Sequence, residues 1–137
     1  MITNDASGNG IEHGEAVDAL RRILSSEELR SSPQLQSMLS FVVEQELAGL
    51  GAQIKAYTIA VDVLGRPQTF DPQTDSTVRV IAGRLRRSLN AYYEAEGHDD
   101  PIRIDVPKGG YRPLFQRQTR SEPLPIDEIE GEEARPR

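Results

Sequence analysis

Thr77-Val78-Arg79-Val80-Ile81-Ala82-Gly83-Arg84-Leu85-Arg86-Arg87-Ser88-Leu89 is the stretch whose reading decides the fold. Val78, Ile81, Ala82, Leu85 and Leu89 recur at helical spacing, which predicts an amphipathic helix. Arg79, Arg84, Arg86 and Arg87 fall on or beside its polar side. The apolar stripe runs on to Tyr92 and Tyr93, and Asp75 or Ser76 supplies a cap, so the helix spans about 76–95. Gly97 to Pro101 breaks it. The pattern then switches to period two: Ile102, Ile104 and Val106 alternate with Arg103 and Asp105, as in a half-buried strand. Lys108-Gly109-Gly110 reads as the turn and Tyr111 to Phe115 as the return strand, with Pro113 suited to an edge. A long basic helix is thus followed by a hairpin at 102–115 that carries Lys108 and Arg112 beside its turn.

Working towards the N-terminus, Arg66 to Thr74 holds two prolines and reads as a loop. A helix is expected over 56–64, with Tyr57, Ala60, Val61 and Leu64 inward and Gly65 as its stop. Ser32-Pro33 is a strong helix start, a cap followed by a proline where no amide hydrogen is needed. From there Leu35, Met38, Leu39, Val42, Val43 and Leu47 keep helical spacing until Gly49 and Gly51. Ser25 and Glu28 have capping-box spacing and are expected to start one short turn. Residues 15–24 form a leading helix with Ala16, Leu20, Ile23 and Leu24 on one side. The expected organisation is a disordered leader at 1–14, one domain at 15–117 and an acidic, proline-bearing disordered tail at 118–137. The fold class is mainly α with a C-terminal β-hairpin.

Composition narrows the function classes. The chain has 137 residues, room for one domain with a core. Hydrophobic content of 36% is low for a chain packed throughout, which is why both ends are read as disordered. Cysteine is absent, which excludes disulfides and thiolate chemistry. No apolar run approaches the length of a membrane span, and Met1 to Gly14 lacks the basic and apolar regions of a secretory signal. A cytoplasmic protein without a membrane partner is expected. The net charge of −6 opposes binding to a polyanion, but its distribution is uneven. Residues 1–54 carry 3 basic and 8 acidic residues, 55–117 carry 10 and 8, and 118–137 carry 3 and 6. The middle is the one basic region, and local potential rather than total charge steers association.

Residues 33–115 resemble the OmpR-type winged-helix DNA-binding domain. Val78 to Leu89, with Arg84-Leu85-Arg86-Arg87, resembles its recognition helix, and Ile104-Asp105-Val106-Pro107-Lys108-Gly109-Gly110-Tyr111-Arg112 resembles its wing. A closer resemblance is to a winged-helix-like module at the N-terminus of bacterial proteins with tetratricopeptide or adenylate cyclase regions. It rests on Lys55, Tyr57, Ile59, Val61, Gly65-Arg66, Phe70-Asp71-Pro72, Asp75, Val78-Arg79-Val80, Arg84-Leu85-Arg86, Tyr92-Tyr93 and Pro107-Lys108-Gly109-x-Tyr111-x-Pro113. It covers about residues 17–115. The OmpR-type domain opens with a small antiparallel sheet, whereas a helix stands in that place here. No receiver, cyclase or repeat region is expected in this chain, so the phosphorylation logic of response regulators does not carry over.

The resemblance implies a winged helix-turn-helix with an extra N-terminal helix, acting as a bacterial transcription regulator on double-stranded DNA. It makes Arg84 the base reader, with Arg79 and Arg87 flanking the groove and Lys108 and Arg112 as wing cations. Arg86 is as well placed to cross the protein in a salt bridge. Alone, the four arginines read equally as a solubilising face. Gly83 tips the balance, because glycine in mid-helix costs ~1 kcal/mol relative to alanine and lets an outside backbone come close. Gly109-Gly110 is not a phosphate loop, since the lysine precedes the glycines and a strand follows. His13 and His98 are isolated, Asp71 and Asp75 flank a proline turn, and the serines have no partnering histidine, so no enzyme, cofactor or metal is expected. One of Tyr92 and Tyr93 is expected in the core and the other partly exposed. The leading helix is a candidate homodimer contact, or packs on the domain's own core. The alternative function is a protein–protein interaction adaptor of winged-helix shape in bacterial signalling, without DNA binding.

Overall fold

Ser32 and Pro33 start a helix as the sequence predicts. The Ser32 hydroxyl accepts the Leu35 amide at 3.4 Å, Pro33 takes the first helical position, and the helix runs Pro33–Leu47. In the computed structural model, which describes residues 11–118, it is the second of four helices. These are α1 (His13–Leu24), α2 (Pro33–Leu47), α3 (Ala56–Asp62) and α4 (Thr77–Glu94), with a 3-10 turn at Gly51–Gln53 between α2 and α3. Two strands follow, β1 (Ile102–Asp105) and β2 (Leu114–Arg117). The fold is therefore mainly helical with a small antiparallel sheet at its C-terminal end. Most of the expected leader and tail, residues 1–10 and 119–137, lies outside the described residues.

The core is one cluster fed by every helix and the hairpin. It includes Ile23, Leu29, Met38, Leu39, Ile59, Leu85, Leu89, Ile102, Ile104 and Phe115, all fully or almost fully buried. Leader and helix meet earlier than expected. The Glu15 carboxylate accepts the Glu12 amide at 2.9 Å, so α1 begins at His13, and Ile11 is completely buried. The boundary at 14 is corrected accordingly: an apolar residue at position 11 has core to cover. The short turn after α1 also forms differently. Ser25 donates its hydroxyl back to the Arg21 and Arg22 carbonyls, and the turn closes on the Ser26 carbonyl, which accepts the Arg30 amide at 2.8 Å.

α3 is shorter than expected because it closes by a left-handed stop. The Leu64 amide reaches the Ile59 carbonyl at 3.1 Å and Arg66 reaches Ala60 at 2.9 Å, with Gly65 at φ 68°. α4 begins where Asp75 takes the first free amide, that of Thr77, at 2.9 Å. The Thr77 hydroxyl and amide hold the Asp75 carboxyl below the usual aspartate range.

Both tyrosines at the end of α4 are buried, which corrects the expectation that one would be partly exposed. Their rings meet edge to face at 4.8 Å. Each hydroxyl has a partner: Tyr92 donates to Asp100, and Tyr93 accepts the Ile104 amide at 2.8 Å. Burial pushes both phenol pKa values up. Gly97 packs so close to the Tyr92 ring that an added Cβ would lie 2.2 Å from it, so only glycine fits.

The hairpin is real but its return strand is displaced. Ile102 pairs with Arg117, Ile104 with Phe115, and Asp105 with Leu114, leaving a loop at 106–113. The expected strand at 111–115 therefore becomes 114–117. Gly109 turns the loop at φ 99° as predicted. Pairing does not reach it, because Pro107 and Pro113 lack amide donors and a side chain of α4 occupies three carbonyls of the loop.

Candidate functional site

α4 has two unlike sides. Val78, Ile81, Ala82, Leu85, Leu89, Tyr92 and Tyr93 face the core. Arg79, Val80, Arg84 and Arg87 are exposed, and Gly83 is half-buried among them. At 3.6 residues per turn these five share the side away from the core. Val80, 56% exposed, is the most exposed large apolar residue in the described chain. None of the described residues requires glycine at 83, because among them an added Cβ would meet only the Arg87 guanidinium, at an ordinary 3.7 Å.

The arginines of this helix divide by what they touch. Arg79 donates to the Pro72 carbonyl at 3.0 Å and so holds the loop that precedes α4. Arg66, in that loop, braces it from the other side through Thr77 at 3.0 Å and Asp75 at 3.8 Å. Arg86 crosses to the hairpin, as one reading of the sequence allowed, but its partners are not carboxylates. It donates to the carbonyls of Val106 at 2.6 Å, Gly110 at 2.8 Å and Pro107 at 3.4 Å. Arg84 and Arg87 have no hydrogen-bond or ion-pair partner among the described residues. They line an open, polar groove of about 500 Å³ with Glu28, Ser31, Ser32, Leu35, Ser88 and Ala91.

The hairpin cations also differ from each other. Lys108 is exposed and without a partner among the described residues, beside the loop carbonyls that Arg86 holds. Arg112 is taken up in a bidentate pair with Glu46 of α2, at 2.6 and 3.2 Å. The Glu46 side chain is only 5% exposed, and its hydrogen bond raises the Arg112 pKa. Gly51 makes room for this pair: an added Cβ would fall 1.8 Å from the Glu46 carboxylate and 2.7 Å from Arg112. The Glu46–Gly51 half of this clasp is not foreseen by the sequence reading. Its signal is present, however, since Glu46 continues the buried stripe of Val42 and Val43, where an acid needs a partner.

Of the six residues singled out from the sequence, Arg79, Gly83, Arg84 and Arg87 therefore share one helix face, while Lys108 and Arg112 sit on the hairpin loop. The candidate dimer helix is otherwise occupied. Its stripe of Ala16, Ala19, Leu20 and Ile23 is buried in the chain's own core, and outward it shows Asp18, Arg21 and Arg22. No helix among the described residues is long and apolar enough to cross a membrane. No protein-family model, curated protein or solved structure matches the chain.

Proposed function

We propose that this chain is a winged helix-turn-helix regulator that binds duplex DNA, with α4 as recognition helix in the major groove and the loop at 106–113 as the wing. One observation carries the reading: two arginines on the outer face of α4 have no partner among the described residues, although the protein has carboxylates to pair them with. Arg84 is the base reader in this reading, and a bidentate arginine–guanine contact discriminates by roughly 1–3 kcal/mol. Gly83 admits the DNA backbone close to the helix. Val80 gives the same face an apolar point of the kind that meets a thymine methyl group. Arg79 acts at one remove, by fixing the approach to α4, and Arg87 meets phosphate. On the wing, Lys108 is the cation that reaches DNA, while Arg112 sets the wing's position through Glu46.

A titration of duplex DNA at increasing salt tests the reading. A regulator loses affinity with a log–log slope of about −0.9 for each phosphate it neutralises. The adaptor reading, which the net charge of −6 favours, expects little binding at any salt, and that result would replace the regulator.

A further inference from the structure

We propose that the connector between α1 and α2 is a second wall of the DNA interface, and that the groove it makes with α4 takes the sugar–phosphate strand flanking the major groove. The proposal rests on the reading of α4 as recognition helix and extends its footprint to Glu28, Ser31 and Ser32. The groove of about 500 Å³ lies between these residues and the outer face of α4. Its cations are Arg84 and Arg87, and the Ser31 and Ser88 hydroxyls are, like them, without hydrogen-bond partners among the described residues. Ser32 already accepts the Leu35 amide. The Arg87 guanidinium and two unengaged hydroxyls are donors in search of acceptor oxygens, which a phosphodiester supplies without a base sequence, while Arg84 in the same lining stays with the base edge. The shape selects a strand over a small metabolite. Small-molecule sites are enclosed and mostly apolar, whereas this groove is open along its outer side and polar.

Glu28 is the exception in the lining and the handle for the test. Its carboxylate has no ion-pair partner among the described residues and sits in the groove with the two arginines. A phosphate entering there meets that negative charge, so removing it strengthens binding. Asp18, on the exposed side of α1 beside Arg21 and outside the groove's lining, is the control, since its neutralisation changes the net charge equally.

The experiment measures the affinity of a random-sequence duplex at physiological salt for the wild type, Glu28→Gln, Asp18→Asn, Ser31→Asp and Arg84→Ala, with a thermal melt of each. Glu28→Gln is expected to tighten binding about three- to tenfold, and Ser31→Asp to weaken it about tenfold. Asp18→Asn stays within about twofold, because at physiological salt exposed charges more than ~8 Å apart are largely screened. Equal affinities for Glu28→Gln and Asp18→Asn, with unaltered melts, overturn the proposal. If Arg84→Ala still weakens binding in that case, the recognition-helix reading survives and only the second wall falls. If the wild type binds no duplex at any salt, both fall together.

Discussion

Where α1 meets the hairpin, every arginine has a carboxylate: Arg22 with Asp100 at 3.5 Å, Arg103 with Asp105 at 2.8 Å and Arg117 with Glu15 at 2.9 Å. At the base of the loop Arg112 meets Glu46 at 2.6 Å. On the outer face of α4, Arg84 and Arg87 have neither carboxylate nor carbonyl among the described residues. The contrast teaches how to read a cation. An arginine recruited for architecture ends on an acceptor of its own chain, and Arg84 and Arg87 do not. Composition cannot separate the two kinds, because all of these arginines contribute alike to the charge count. Exposure cannot separate them either. Arg112 is 58% exposed at its side chain and is nonetheless committed to Glu46.

The contrast can be broken most sharply at Arg84. Arg84→Ala is expected to lose about 1–3 kcal/mol of preference for a selected site over random duplex. Its melting temperature should stay that of the wild type, since no side-chain hydrogen bond or ion pair among the described residues is removed. An unchanged site preference removes the base-reading role. Arg86→Ala should do the reverse. It leaves three loop carbonyls without their donor and is expected to cost about 1–2 kcal/mol of stability. For a domain of this size that is a melting temperature lower by roughly 4–15 °C. A melt equal to the wild type's would show that the loop is held without Arg86.

Arg112 and Lys108 sharpen the same division within one loop. Arg112→Ala leaves the Glu46 carboxylate buried and unpaired, and about 1 kcal/mol of stability is expected to go, the pair being solvent-exposed on the arginine side. Lys108→Ala should leave the melt unchanged and reduce the salt slope of duplex binding by about 1. The division fails if both variants change the same quantity.

The smallest effect concerns acid. The Arg117 guanidinium, above all, holds the Glu15 carboxyl below its ordinary range. A depressed carboxyl stabilises the fold above its unfolded value of about 4.3, and that contribution disappears as pH falls through the lower folded value. Wild-type melting temperature should therefore drop more steeply below about pH 4.3 than that of Glu15→Gln. Parallel curves would show that the clasp between α1 and β2 contributes nothing.

Periodicity and cap signals made the main elements legible, although Tyr57, read as inward on α3, is 41% exposed. α2 starts where Ser32-Pro33 says, α4 departs from its expected span by one residue at each end, and Ile102, Ile104 and Val106 alternate inward. What stayed hidden depends on contacts between distant residues. The return strand is displaced because Arg86, some twenty residues upstream, claims the loop carbonyls. The leader's boundary failed because Glu12 and Glu15 cap α1 in place of the usual serine or aspartate. The candidate site was legible as a face, since helical spacing fixes which side Arg79, Gly83, Arg84 and Arg87 share. Which cations on it are engaged was not legible, because partners such as Pro72 lie on other segments and no spacing rule connects them.

The clasp between Arg117 and Glu15 spans 102 positions of the chain, whereas Arg86 reaches its loop carbonyls across 20 to 24. Closing a loop becomes costlier by about 0.6 kcal/mol with each doubling of its length. The separation between the two clasps is about two doublings, so the loop end of the hairpin is set against α4 at a lower entropic cost than the strand end is set against α1. On a growing polypeptide the order is stricter. Of the four described helices α1 leaves the ribosome first, and the part of its surface that clasps β2 has no partner until Arg117 has been made. Of the four described helices, the first made is the one whose clasp to the hairpin spans the most chain.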